Sequence, residues 1–130
     1  MNCRIEIIYS QKDKLSDKIL QFIFELNQNN IPALGSLNNL KHVQDIYNQS
    51  LFATLVTIKE KFVGFAFIMD CKSDYKSLNY KFFKNSFENF LYVDRVAFLE
   101  EFQRKGYGTS KRELSFIWPQ YWQISTKDIN

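Results

Sequence analysis

The chain has 130 residues and a mass of 15.5 kDa, a length that matches one domain of about 100–150 residues. Hydrophobic residues make up 45% and charged residues 24% of it, a balance that supplies a core and excludes a disordered chain. Lys and Arg number 17 against 14 Asp and Glu, which gives a net charge of +3; nucleic-acid-binding proteins usually show a more concentrated basic surface, so no nucleic-acid partner is expected.

Apolar runs and cysteines indicate a reduced, cytoplasmic protein. The longest unbroken apolar run is residues 62–69, far shorter than the about 20 residues of a membrane helix, and the N-terminus lacks the pattern of a secretory signal. No membrane partner is therefore expected. Cys3 and Cys71 are too few for a disulfide framework. With His42 as the only histidine they do not give the ligand spacing of zinc, so no metal is expected.

The first part of the chain is predicted to form a strand followed by two helices. Residues 3–9 alternate well enough for a strand. Ser16 can cap a helix that runs to about residue 27, because apolar residues recur there at helical spacing. A proline and a glycine within residues 29–35 end this helix. Either Ser36 or Asn38 then begins the second helix.

The middle of the chain is predicted to form a hairpin, a short helix and another strand. Residues 51–58 and 62–69 are rich in strand-forming residues on either side of a short polar turn, which favours an antiparallel hairpin. Residues 78–87 could form a short helix, and residues 90–98 are predicted to form a further strand. With a helix after this strand, the order β-α-α-β-β-(α)-β-α indicates an α+β or mixed α/β layer fold.

Two of the four glycines, Gly106 and Gly108, follow the last predicted strand in the pattern Gln-x-x-Gly-x-Gly. Glycine lets backbone N–H groups approach an anion, and the N-terminus of the next helix adds donors and a positive dipole end. Arg104 and Lys105 add positive charge beside them. The segment therefore predicts a diphosphate site, although it matches neither a Rossmann fingerprint nor a Walker loop. An ordinary helix-initiating turn is the alternative.

The stretch from Leu91 to Gly108 resembles the acetyl-CoA-binding core of the GNAT N-acetyltransferase superfamily. In that family a strand of the V-x-x-V-A-V type leads into [QR]-x-x-G-x-[GA], and residues 93–98 and 103–108 match this order. Residues 30–35 and 90–96 also look like a bacterial subgroup of predicted acetyltransferases. The resemblance covers about residues 4–114. It implies a GNAT-like mixed, mainly antiparallel sheet flanked by helices, and acetyl transfer from acetyl-CoA, as co-substrate, to an unidentified amine acceptor.

The resemblance also implies roles for particular residues. The backbone of Val96, Ala97 and Phe98 would hydrogen-bond the pantetheine arm of acetyl-CoA, and an N–H near Val96 would polarise the thioester carbonyl. Six consecutive residues would wrap the pyrophosphate: Arg104, Lys105, Gly106, Tyr107, Gly108 and Thr109.

Acetyl transfer to an amine needs a base that removes a proton from the acceptor. Tyr92 and Asp94 are two apart on one predicted strand, so their side chains are expected to share a face. Some family members have a glutamate base at the position of Tyr92. Asp94, acting through water, is therefore the candidate base here, with Tyr92 as the second catalytic candidate. The alternative for Asp94 is a structural ion pair, for example with Arg95.

Four aromatic residues could line an acceptor pocket or could belong to the core: Tyr75, Tyr80, Phe82 and Phe83.

The chain is expected to be one GNAT-like domain, residues 1–130, that is incomplete after about residue 117. Family members continue past the motif helix with a strand, a helix and a closing hairpin, which residues 118–130 are too short to supply. A truncated gene, a fragment of a longer protein and a second chain that completes the sheet are the open explanations. Lost strands would expose a sheet edge, which favours pairing with another chain.

Three functions follow from these patterns. The first is an acetyltransferase whose activity truncation could have removed. The second is a non-catalytic interaction module, or a degenerate GNAT remnant, that forms a homodimer through the exposed sheet edge. The third is a simple anion-binding protein that uses the glycine-rich turn.

Overall fold

The computed structural model describes residues 3–103, which form four strands and four helices. The elements are β1 (Cys3–Tyr9), α1 (Asp17–Gln28), α2 (Leu40–Gln49), β2 (Phe52–Ile58), β3 (Lys61–Asp70), α3 (Leu78–Ser86), β4 (Leu91–Phe98) and α4 (Glu100–Gln103). Every strand and helix predicted within this range is present. The helix predicted after the glycine motif, at about residues 107–117, lies outside the described residues, and the short helix α4 directly after β4 was not expected from the sequence.

The four strands form one antiparallel sheet in the spatial order β1-β2-β3-β4, which is also their order along the chain. The pairing begins with Cys3 opposite Ile58 in β1 and β2, and Phe65 lies opposite Ala97 in β3 and β4. Because helices flank this antiparallel sheet, the predicted mixed α/β fold class is confirmed. In the described part of the chain, β1 and β4 are the edge strands.

Helices α1, α2 and α3 pack on one face of the sheet and form the main core with it. Ile23 of α1 and Tyr47 of α2 are fully buried there, together with Phe65 and Phe67 of β3. Apolar residues recur at helical spacing in α1 and α2 and on alternate positions of the strands, which places them on the facing surfaces. The apolar residues whose spacing predicted these elements are therefore the residues that form the core.

Polar caps fix where the helices begin. The Ser16 hydroxyl accepts a hydrogen bond from the Ile19 N–H at 3.2 Å, as expected for a helix N-cap. The second helix begins later than predicted, because Asn39 caps it rather than Ser36 or Asn38. The Oδ1 atom of Asn39 accepts from the N–H of residue 42 at 2.9 Å, and helix α2 follows directly.

The turn between β2 and β3 places two non-glycine residues in the left-handed region. Ile58 and Lys61 lie opposite each other, so Lys59 and Glu60 alone make the turn, with φ of 51° and 65°. Two-residue hairpin turns of this kind need positive φ at both positions, and Asn-Gly is the preferred pair. Because Lys59 and Glu60 have Cβ atoms, this left-handed backbone conformation costs free energy at both positions.

We expect the double variant Lys59→Asn/Glu60→Gly to be more stable than the parent chain. Relief of the left-handed strain should add about 1 kcal/mol to the free energy of unfolding and raise Tm by about 4 °C. Differential scanning calorimetry measures this. Glu60→Ala is the matched control, because alanine keeps the Cβ atom and should bring no such rise. An unchanged Tm in the double variant would contradict the assignment of strain to this turn.

Gly64 of β3 leaves room for an aromatic ring from β4. A Cβ atom at Gly64 would lie 2.6 Å from Cδ1 of Phe98 and 3.0 Å from the carbonyl oxygen of Ala97. Both distances are closer than ordinary contact, and the carbonyl belongs to the paired strand. Close packing of β3 against β4 therefore requires glycine at this position.

Gly64→Ala is expected to lower the free energy of unfolding by about 1–3 kcal/mol, because the added methyl group overpacks the β3–β4 contact. Urea denaturation measures the loss. Gly35→Ala is the control, since a Cβ atom at Gly35 would meet its nearest neighbouring atom, Nη2 of Arg95, at 4.0 Å. Equal losses in the two variants would show that the Phe98 contact is not the cause.

Candidate functional site

A cavity of about 690 Å³ opens between the loop after α1, helix α3 and strand β4. This volume lies within the usual range of small-molecule sites. Tyr92 and Asp94, the two candidate catalytic residues, both line it. The complete lining within the described residues is Ala33, Leu34, Gly35, Tyr75, Ser77, Asn79, Phe82, Phe83, Tyr92, Asp94 and Arg95.

A β-bulge in β4 brings Asp94 and Arg95 to the cavity together. The pairing with β3 skips Asp94, because Phe67 lies opposite Arg95 and the next residue, Ile68, lies opposite Val93. An extra residue of this kind interrupts the ladder and redirects the side chains around it. Asp94 and Arg95 therefore both line the cavity although they are consecutive in the strand.

Asp94 and Arg95 form a nearly buried ion pair. Nε of Arg95 donates to Oδ2 of Asp94 at 2.7 Å, and the two side chains are 10% (Arg95) and 6% (Asp94) exposed. Nη1 of Arg95 also donates to Oδ1 of Asn27 at 2.8 Å and to the Gly35 carbonyl at 3.1 Å. One guanidinium thus joins the bulge of β4 to α1 and the following loop. The ion pair that was the alternative to a catalytic Asp94 is present.

Polar residues at the end of α1 hold the loop that forms one wall of the cavity. Asn27 is fully buried, and its Nδ2 atom donates to the Gly35 carbonyl at 2.9 Å. Oε1 of Gln28 accepts from the Leu37 N–H at 2.9 Å, and Nε2 of Gln28 donates to the Ser36 hydroxyl at 3.3 Å. The loop, which contains a cis Ile31–Pro32 bond, is therefore anchored at several points.

Two tyrosines beside Asp94 have raised pKa values. Burial, followed by the negative charge of Asp94, raises the pKa of the Tyr75 phenol well above its ordinary value. Burial and then the Asp94 charge also raise the pKa of Tyr92, although hydrogen bonds from Ser77 and Asn79 act in the opposite direction. Both phenols keep their protons at neutral pH, so each could donate a proton but could not act as a base.

Three of the four aromatic candidates line the cavity, and one belongs to the core. Tyr75, Phe82 and Phe83 contribute to the cavity wall. Tyr80 is fully buried instead, and its hydroxyl donates to the Asp70 carbonyl at 2.6 Å. Its ring packs edge-on against Tyr92 with centroids 5.6 Å apart, so Tyr80 supports a wall residue from behind.

Some of the β4 backbone groups that the family resemblance assigns to acetyl-CoA lie at the outer edge of the strand. The Leu99 N–H donates to a β3 carbonyl at 2.8 Å, and backbone directions alternate along a strand. The N–H and C=O groups of Ala97 therefore face β3, whereas those of Val96 and Phe98 face away from it. Nε2 of Gln103 donates to the Phe98 carbonyl at 2.8 Å, so the first residue of the glycine motif contacts this edge.

The predicted pyrophosphate-binding residues lie outside the described part of the chain: Arg104, Lys105, Gly106, Tyr107, Gly108 and Thr109. The expected incomplete end after about residue 117 lies outside it as well. Within residues 3–103 there is no group of three or more His, Cys, Asp and Glu side chains that could hold a metal ion. None of the helices in this range has the length and apolar character needed to cross a membrane.

The sequence analysis did not identify Asn27 as part of the site. The sequence does indicate that Asn27 is buried, because Asn27 follows Ile23 by four residues and so lies on the apolar face of α1. A polar residue on a buried face needs a buried partner. Its partner, Arg95, reaches α1 from β4, directly after Asp94, and the strand pattern did not predict this contact.

No protein-family model and no curated protein matches the sequence. The structure is similar to the crystal structure of an aminoglycoside acetyltransferase from an uncultured soil metagenomic sample in complex with sisomicin. The two chains superpose with a TM-score of 0.50 at 15% sequence identity, over 94% of this chain and 73% of the other. At this identity the likeness concerns the fold, and it supports a GNAT-like fold. The bacterial subgroup stays a prediction.

Replacement of Asn27 should destabilise the fold through the Arg95 contact. We expect Asn27→Leu to lower the free energy of unfolding by about 1–3 kcal/mol, because Nη1 of Arg95 and the Gly35 carbonyl each lose a buried partner. Gln21→Leu, at an exposed position of the same helix, should change it by less than about 0.5 kcal/mol. Urea denaturation compares the two. Similar values would contradict a structural role for Asn27.

Buried tyrosines predict a loss of stability at alkaline pH. Burial, then the charge of Asp70, raises the pKa of Tyr80 from 10.0 to about 12. Because the folded value exceeds the unfolded one, this contribution is complete below pH 10 and is lost as the pH rises through 12. Urea midpoints at pH 9, 10, 11 and 12 should fall over this interval, and the fall should be smaller in Tyr80→Phe. A constant midpoint would exclude this linkage.

Proposed function

We propose that this chain is a GNAT-type N-acetyltransferase that moves an acetyl group from acetyl-CoA to an amine bound in the cavity. One observation carries the proposal. Asp94 and Tyr92 line a cavity of suitable size, a few residues from the outward-facing backbone of Val96 on the same strand. Acceptor and thioester could meet there. The fold shared with an acetyltransferase supports this reading, and the proposed location is the cytoplasm.

Acetyl-CoA would lie along the outer edge of β4. The N–H and C=O groups of Val96 and the N–H of Phe98 face away from β3, and they fit the amide groups of a pantetheine arm. The Phe98 carbonyl is already bonded to Gln103, and Ala97 bonds toward β3, so we assign the cofactor contacts chiefly to Val96 and the Phe98 N–H. Residues 104–109 would hold the pyrophosphate, as the sequence motif implies.

In the proposed reaction the amine nitrogen attacks the thioester carbon. A C–N bond forms, the C–S bond breaks, and the acetyl group moves to the acceptor. The Val96 N–H would stabilise the oxyanion of the tetrahedral intermediate. Asp94 would first take a proton from the bound ammonium group, directly or through one water, which frees the nitrogen lone pair for attack. The phenol of Tyr92 would give its proton to the departing thiolate and recover the second proton that the nitrogen loses as the amide forms.

A second candidate function is self-association through a sheet edge. Ile5, Ile7 and Tyr9 of β1 are 64%, 50% and 42% exposed, and β1 is an edge strand of the described sheet. An exposed apolar edge favours pairing with another strand. Light scattering across a concentration series tests this, because a homodimer gives twice the monomer mass and Ile5→Lys/Ile7→Lys should return the monomer. A monomer mass at every concentration would exclude it.

Calorimetric titration with acetyl-CoA tests the proposed cofactor. The parent chain should bind acetyl-CoA saturably, and Gly106→Trp should remove binding, because the indole would fill the predicted pyrophosphate turn. Circular dichroism must show that both proteins are folded. Failure of the folded parent chain to bind acetyl-CoA would remove the acetyltransferase function.

Asp94→Asn tests the proposed base. We expect its rate of acetyl transfer to fall by about 10²–10⁴-fold, as for loss of a general base. Thermal melts should accompany the assay, because this change also leaves Arg95 without its charged partner. Asp45→Asn is the matched control, since it removes a carboxylate from the exposed Lys41–Asp45 pair and should leave the rate unchanged. A folded Asp94→Asn variant with the parent rate would exclude Asp94 as the base.

A further inference from the structure

The charged groups of the cavity cancel each other. Among the described lining residues only Asp94 and Arg95 carry formal charge, and their ion pair at 2.7 Å has no net charge. A cation near Asp94 is attracted by its carboxylate and repelled by the adjacent guanidinium. The Tyr75 phenol also hydrogen-bonds this carboxylate, so Asp94 can hold at most one ammonium group, which would share the carboxylate with Arg95 and Tyr75. A second positive charge on the same ligand would meet no further carboxylate in this lining.

Arg95 donates hydrogen bonds to other groups of the protein. Its Nε atom donates to Asp94, and its Nη1 atom donates to Asn27 and to the Gly35 carbonyl. These bonds hold the guanidinium against α1 and the following loop. Tyr75 also hydrogen-bonds Arg95, so an acceptor with a carboxylate or phosphate group would compete with these protein groups and with Asp94 for the guanidinium. The cavity consequently does not favour an anionic group on the acceptor.

Apolar and aromatic side chains contribute to the remaining wall. Leu34, Phe82 and Phe83 line it; Phe83 is buried, whereas Phe82 keeps 62% of its surface exposed. An apolar ligand would cover this exposed ring, and removal of apolar surface from water favours binding. Aromatic rings also pack well edge-on or offset against another ring. Ser77 and Asn79 add only neutral polar groups.

We infer that the acceptor is a primary amine with a single positive charge on an apolar or aromatic body, of the arylalkylamine class. Polyamines and other polycations are poor ligands of this cavity. The inference rests on the proposed function, because it names the acceptor class of the same site. Its ammonium group lies at Asp94, and its apolar body lies against Phe82 and Phe83.

Calorimetry on the full chain with saturating CoA tests this inference by binding alone. The probes are 2-phenylethylamine and spermidine at pH 7. We expect 2-phenylethylamine to bind at least 10-fold more tightly than spermidine. Phe82→Ala should weaken its binding about 5-fold. Leu78→Ala is the matched control, because Leu78 lies on the same helix, is 84% exposed and is absent from the cavity lining.

The outcomes separate this inference from the proposed function. Spermidine binding as tight as that of 2-phenylethylamine, or no binding of either amine, would overturn the acceptor class. Equal effects of Phe82→Ala and Leu78→Ala would also overturn it. If 2-phenylethylamine binds as expected but receives no acetyl group from acetyl-CoA, the acetyltransferase function fails and the ligand class stands. If spermidine is acetylated faster, the function stands and the ligand class is wrong.

Discussion

The buried guanidinium of Arg95 is the contact on which the arrangement of this site depends. A charge removed from water is tolerated only when opposite charge and hydrogen-bond acceptors surround it. Asp94 supplies the charge, and Asn27 and the Gly35 carbonyl supply the acceptors. Those partners come from β4, α1 and the loop after α1. Satisfying one cation therefore fixes the relative positions of three parts of the chain, and two of them, β4 and the loop after α1, line the cavity.

Asp94 has two roles in this site, one in the ion pair and one in the proposed reaction. As the counter-ion of Arg95 it must stay in one orientation, and as a base it must receive a proton from a ligand. The two roles are compatible, because a carboxylate offers several acceptor positions on two oxygens. A ligand can therefore share Asp94 with Arg95, which engages Oδ2 through Nε, and with the Tyr75 phenol. The pair also fixes the charge balance of the cavity, so one structural contact bears on both the chemistry and the choice of ligand.

Much of the fold could be predicted because the hydrophobic pattern is local and regular. Strand alternation and helical spacing identified every element from β1 to β4, and Ser16 marked the start of α1. The short helix α4 was not predicted, because four residues are too few to show a period. The true cap of α2, Asn39, could not be chosen over its polar neighbours, since several residues in that loop can serve as caps.

Less of the candidate site than of the fold could be predicted from the sequence. Tyr92 and Asp94 were placed on one face by simple alternation, and both do line the cavity. The bulge that adds Arg95 to that face depends on how β4 pairs with β3, which the strand's own residues do not reveal. The contact of Arg95 with Asn27 joins residues 68 positions apart. Such contacts depend on tertiary packing. In the sequence they are indicated only by an isolated polar residue on an otherwise apolar face.

The sheet has a consequence for how this protein forms during synthesis. Each strand pairs with the one that precedes it in the chain, so the spatial order is also the order of translation. A strand leaving the ribosome finds its partner already made, and no early strand has to wait for a distant one. The β1–β2–β3 portion and its two helices could assemble first. Among the strands of residues 3–103, β4, which carries Asp94 and Arg95, joins last and completes the cavity lining as it docks.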